Sequence, residues 1–172
     1  MKIFVTGAES TGKSELTSGL SNHYDSPFVP EYARDYLGSL NREYTKEDVC
    51  LIARKQIEQI RENQVRELVF FDTGLIITQV WLEVRFNSSP PWLEKAIREY
   101  GPGNYLVCQP DIPWVDDPLR ENPDRREELN RLYIDKIKAA GFHYGLVEGM
   151  DEKRLSNAIS IVNGWRKKYP FK

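Results

Sequence analysis

The sequence predicts an α/β fold: a doubly wound, five-stranded parallel sheet with helices on both faces. Three observations predict it. Compact apolar runs alternate with amphipathic segments, the first run ends on a glycine-rich loop, and the chain has 172 residues. That length suits one domain burying roughly 70% of its unfolded surface. Residues 1–172 are therefore read as one unit, with a lid at about 113–126. Strand–helix alternation along a chain places helices on both sides of a parallel sheet.

Each element has its own signal. "KIFV" (2–5) is β-branched and aromatic, and a helix over 13–24 follows the loop. "SPFVP" (26–30) is a weaker strand, because prolines bracket it. Thr45, with Asp48 three residues on, opens a helix whose face is Val49, Ile52, Ala53, Ile57 and Ile60. "ELVFFD" (67–72) is the next strand, and "DTG" turns from it into 75–86. "NYLVCQ" (104–109) follows. Asn122-Pro123 then starts a helix facing inward through Leu129, Leu132, Tyr133, Ile137 and Ala140. "YGLVE" (144–148) is the last strand, and Leu155, Ala158, Ile159, Val162 and Trp165 mark the last helix. Near-continuous apolarity in these strands predicts burial on both faces. Repeats, low-complexity tracts and linkers are absent.

Composition narrows the function. A net charge of −2 exerts no long-range pull on nucleic acid or anionic lipid. Cys50 and Cys108 lack CxxC company, which suits free thiols in a reducing cytosol rather than a zinc site or disulfide scaffold. The chain opens directly on "KIFVT" and holds no apolar run of bilayer length, so a cytoplasmic location is expected.

"GAESTGKS" (7–14) carries the chemistry. Gly7, Gly12, Lys13 and Ser14 satisfy G-x-x-x-x-G-K-[ST], with a strand before and a helix after. By chance such a match arises in roughly one chain in a few hundred of this length. Glycines let the backbone turn its N–H groups of residues 7–12 (Gly7, Ala8, Glu9, Ser10, Thr11, Gly12) toward a polyphosphate, and the helix N-terminus through Glu15 adds positive potential. Lys13 is expected on the β- and γ-phosphates and Ser14 on magnesium. The fold is thus expected to be that of the P-loop nucleotide-binding proteins. No N-K-x-D reads guanine and no transporter signature is present, which leans toward a small-molecule kinase.

Candidate partners of the loop lie at the carboxyl ends of strands. Asp72 suits a magnesium-holding or catalytic carboxylate, against a plain helix cap. Glu31 in "EYARDY" is a base or hydroxyl acceptor, with Tyr32 and Arg34 beside the substrate; a surface pair between Glu31 and Arg34 is equally consistent. Prolines 110, 113, 118 and 123 stiffen a segment fit to close over substrate and exclude water. Arg120, Arg125 and Arg126 would neutralise the transferring group, whereas Arg131 reads as solvated. Trp114 beside Asp116 and Asp117 suits a flat cationic ring.

"GAESTGKSEL", "EYARDYL", "VFFDTGLIITQVW" and "PDIPWVDDPLREN", in this order, resemble the kinase domain of NadR-type nicotinamide riboside kinases over residues 2 to about 137. The resemblance implies ATP-dependent phosphorylation of the ribose 5′-hydroxyl of nicotinamide riboside, with magnesium. It implies phosphate and metal roles for Lys13 and Ser14, and a metal or catalytic role for Asp72. Glu31, Trp114 and Asp117 would serve the riboside, and Arg120 the lid. The family commonly carries a second acid in "DTD" where this chain has Gly74. NadR-type proteins often add an adenylyltransferase domain, and a chain opening on the loop strand is expected to lack that step. The alternatives are a nucleotide-binding sensor ATPase without a small acceptor, and a P-loop kinase for another nucleoside.

Overall fold

The computed structural model describes residues 1–168, in which five parallel strands pair in the order β2-β3-β1-β4-β5. β1 (Lys2–Gly7) is central, flanked by β3 (Val69–Asp72) and β4 (Asn104–Cys108). β2 (Phe28–Val29) and β5 (His143–Val147) form the edges. Strand side chains alternate between faces, so each central strand feeds two cores. Phe4, Phe71, Tyr105 and Val107 face one core; Ile3, Val5, Phe70, Leu106 and Cys108 face the other.

Helices cover both sides, as the strand–helix alternation requires. α1 (Lys13–Tyr24) and α7 (Asp151–Lys168) bury Leu16, Leu20, Ala158 and Val162 in the second core. α3 (Lys46–Glu62), α4 (Leu75–Phe86), α5 (Pro91–Tyr100) and α6 (Arg126–Ala139) build the first. α2 (Tyr32–Gly38) is short and follows β2 directly. Among the described residues no helix is long and apolar enough to cross a membrane.

The capping box at Thr45 and Asp48 is complete. Asp48 also binds both guanidinium nitrogens of Arg42 and the Tyr36 hydroxyl, so its carboxyl lies far below the usual carboxylate range, chiefly through Arg42. This knot fixes the 39–45 segment against α2 and α3.

Three expectations change. α5 was absent from the sequence reading, although Pro90-Pro91 and the buried Leu93, Ala96 and Ile97 were its signal. β5 is not buried on both faces: His143 is exposed and Leu146 is 41% accessible, because an edge strand is covered less fully than a central one. The segment after Asn122-Pro123 first makes a 3-10 turn (Pro123–Arg125) before α6 begins. Cys108 is buried, Cys50 partly so, and both are free thiols.

Gly74 lies against the core. A Cβ there would stand 2.9 Å from Cδ1 of Phe4, whose ring stacks on Phe71 at 4.9 Å and Tyr105 at 5.0 Å. Gly74→Ala should therefore destabilise the protein by about 1–3 kcal/mol in urea unfolding. Gly38→Ala, with nothing within 4 Å of the added methyl, should leave the midpoint unchanged or slightly raised.

Candidate functional site

The glycine-rich loop leaves the sheet between β1 and α1. At Gly7 (φ 144°) an added Cβ would sit 2.7 Å from the Cys108 carbonyl oxygen, so the chain turns there only without a side chain. Gly12 (φ 71°) caps α1 with no side-chain hydrogen bond, which leaves the first-turn N–H groups facing the loop. Ala8 is the internal brace. Its N–H donates to Asn130 Oδ1 at 3.2 Å, and its carbonyl accepts from Thr11 Oγ1 and from Lys13 Nζ, each at 2.8 Å.

Asp72 ends β3 beside Val5 of β1 and is 6% exposed. Gly74 rather than Asp72 caps α4, so the capping explanation for this carboxylate falls away. Its Oδ1 is buried without a hydrogen-bond partner. Burial raises its pKa, against the lowering effects of a Ser14 hydrogen bond and the charges of Lys13 and Arg34. Glu31, the N-cap residue of α2, is also pushed up by burial; Lys13 lowers it and Asp72 raises it further. Two carboxylates thus share one lysine in a poorly hydrated corner. An orphaned carboxylate oxygen next to the Ser14 hydroxyl is a donor set of hard oxygens, which fits magnesium.

Residues 109–122 carry no helix or strand, and they fold back over the loop. Ser10 Oγ accepts from the Val115 N–H at 2.8 Å and from Arg120 at 3.4 Å. Arg126 donates to the carbonyls of Ser10 (3.2 Å) and Ile112 (2.9 Å). Glu9 Oε2 accepts from the backbone N–H groups of Glu121 at 3.1 Å and Asn122 at 2.8 Å. Asp117 accepts from Leu119 N at 2.9 Å and pairs with Arg34 at 2.9 Å and Arg120 at 3.8 Å. Arg34 therefore bridges to this segment, where a pair with Glu31 was the alternative.

A cleft of about 910 Å³ runs from the loop to a wall formed by Tyr44, α4 and α6. Gly7, Glu9, Ser10, Thr11, Gly12, Lys13, Ser14 and Glu15 line its phosphate end, with Arg120 and Arg125 opposite; Glu31 and Arg34 lie along it. Ala8 lies beneath and is fully buried. Tyr32 and Asp72 line a small adjoining void of about 10 Å³. Trp114, Asp116 and Asp117 stand off the cleft wall. The Arg120 and Arg126 guanidinium groups lie 6.0 Å and 5.8 Å from the centroid of the Trp114 ring, whose N–H donates to Asp116 at 2.7 Å. Arg125 pairs with Glu128, and Arg131 with Glu127 on an exposed helix face.

The sequence reading missed several contributors. Asn130 lies on α6, distant in sequence from Ala8, and carries no motif. Arg154 on α7, 5% exposed, binds the carbonyls of Gln109, Val147 and Gly149 and the Asp111 carboxylate, tying the ends of β4 and β5 behind the loop. Tyr44 and Trp81 form much of the far wall.

A family described as AAA domain matches residues 2–154. The trifunctional NAD biosynthesis/regulator protein NadR of Escherichia coli (strain K12) is 24% identical over 169 residues, which is 93% of this chain and 41% of that protein. The protein of that name from Salmonella typhimurium aligns over the same shares at 24% identity. This chain thus spans about two fifths of the length of these curated relatives. A crystal structure of NadR in complex with NR superposes with a TM-score of 0.80 at 24% identity, over 95% of this chain and 51% of that one. A deoxyadenosine kinase from M. mycoides, with products dCMP and dCDP bound, gives 0.67 at 14% identity over 95% of this chain and all of that one. These structural likenesses establish the P-loop kinase fold, and the NadR-type resemblance read from the motifs is the one the sequence relatives carry.

The raised Asp72 pKa has a stability consequence. The folded protein holds this proton more tightly than the unfolded chain does, so ionised Asp72 costs stability above its folded pKa. Asp72→Asn should raise the thermal unfolding midpoint at pH 7. That advantage should shrink as pH falls through the folded pKa, where wild-type Asp72 regains its proton.

Proposed function

This chain belongs to the AAA-domain family, and from that premise we propose that it is an ATP-dependent nucleoside kinase acting on nicotinamide riboside. Magnesium is the metal of this reading, and the product is nicotinamide mononucleotide. The observation that carries it is a continuous cleft whose lining runs from the phosphate loop through Glu31 to an aromatic wall. Such a space takes a triphosphate at one end and a nucleoside at the other. The NadR relatives and the solved NadR–NR complex support the choice of nucleoside.

Phosphoryl transfer asks for positioning and charge neutralisation more than covalent chemistry. Lys13 and the first N–H groups of α1 would hold the β- and γ-phosphates. Ser14 and Asp72 would hold magnesium, which when bound neutralises charge on those two phosphates. Glu31 faces the cleft with its pKa raised by burial, which suits it to accept the 5′-hydroxyl proton. In that step the ribose oxygen bonds to the γ-phosphorus, the bond to the β-phosphate oxygen breaks, and the proton passes to Glu31. Arg120, reaching Ser10 of the loop from the proline-rich lid, would stabilise the transferring group.

The test is a phosphorylation panel with ATP or GTP against nicotinamide riboside, uridine, cytidine, adenosine and no acceptor. Nicotinamide riboside should be the best acceptor. Lys13→Ala and Arg120→Ala should each lower kcat on the order of 10²–10³-fold. Preference for an ordinary nucleoside would overturn the substrate. ATP hydrolysis indifferent to every acceptor would overturn the kinase class and favour a sensor.

A further inference from the structure

The far wall of the cleft has chemistry of its own. Tyr44, from the segment before α3, and Trp81, from α4, meet edge-on at 5.1 Å between ring centroids and 68° between planes. The Trp81 N–H donates to the Tyr44 hydroxyl at 3.1 Å, and that hydroxyl donates to Glu121 Oε2 at 2.7 Å. Glu121 belongs to the proline-rich segment, and its own N–H is held by Glu9 of the phosphate loop. Both rings are half-buried and line the cleft, with Ile77, Val80, Val84 and Leu129 around them. Aliphatic side chains neither donate nor accept hydrogen bonds, so this end reads its ligand by stacking and charge.

We propose that Tyr44, Trp81 and Glu121 form the subsite for the acceptor's ring, and that the Glu121 carboxylate selects a flat cationic ring over a neutral one. The assignment rests on the nucleoside-kinase reading and adds to it the residues that choose the substrate. Charge bookkeeping along the cleft favours it. Glu121 forms no ion pair within 4.0 Å among the described residues, whereas Arg34 and Arg120 are paired with Asp117 and Arg125 with Glu128. Lys13 stands at the phosphate end and Glu31 midway. Arg85 is the cation on the ring wall. Trp81 and Glu121 both hydrogen-bond the Tyr44 hydroxyl, and Arg85 lies close enough to it to lower its pKa. The stacking chemistry expected of Trp114 passes to this pair, since Trp114 is flanked by two guanidinium groups and stands off the wall.

The knot at Asp48 holds Tyr44 in place. Thr45, the next residue, donates its backbone N–H to Asp48, and Arg42 closes the other side. Glu121 is exposed, so its substitution leaves the core untouched.

The experiment compares nicotinamide riboside, a cation, with its uncharged dihydro form, on the full chain, by calorimetric binding and by steady-state turnover. Glu121→Gln should weaken binding and raise KM for the cation roughly 5- to 30-fold, with kcat little changed. Binding of the neutral form should move less than about twofold. Trp81→Leu should weaken both forms, and Trp81→Phe should largely restore them. Equal effects of Glu121→Gln on the two forms, or none on either, would overturn the subsite while wild-type turnover still upheld the kinase. Wild-type binding with the stated Glu121 dependence but without phosphorylation would uphold the subsite and overturn the kinase. Absence of both binding and turnover would overturn both.

Discussion

The constraint on which the glycine loop depends is the approach of Gly7 to β4. The Cys108 carbonyl occupies the place a side chain would take, so the chain must leave β1 at that level and turn over the sheet. Everything at the phosphate end follows. The loop wraps around the Ala8 carbonyl, α1 begins at Lys13 with its N–H groups directed back, and Asp72 on the neighbouring strand ends two residues short of the same height. The sheet register, rather than any loop flexibility, brings Ser14 and Asp72 together.

A second consequence is electrostatic. Asp72 and Glu31 are both moved toward the neutral form by burial, and one lysine opposes the shift in each. The fold keeps this tension because the carboxylates are placed by β3 and by the start of α2, which are anchored elsewhere. A corner that is awkward for the protein alone is well suited to concentrated positive charge. Stability is given up locally in the corner beside the glycine loop.

Much of this was legible in the residues. The glycine loop dictated both the end of β1 and the span of α1, because its conformational and capping demands are local. The Thr45–Asp48 box fixed the start of α3 for the same reason. Burial of β5 was not legible: an apolar run reads alike in the middle of a sheet and at its edge, and only sheet order separates the two. α5 went unseen because it is a short helix separated from α4 by only residues 87–90. The phosphate end of the site was legible as a motif. The ring wall was not, because Tyr44, Trp81 and Glu121 are far apart in sequence and meet only through packing of α3 on α4 and the return of the proline-rich segment. The indole that was legible, Trp114, drew attention through its acidic neighbours; its two arginine partners are what the sequence concealed.

The clasp between Glu9 and the N–H groups of residues 121 and 122 engages main chain only. Any non-proline residues there could keep it. The strap is therefore anchored independently of its own lettering, and position 121 is free to drift while the clasp persists. On the proposed reading, exchanging the side chain at 121 would alter the choice of acceptor and leave the contacts around the glycine loop in place.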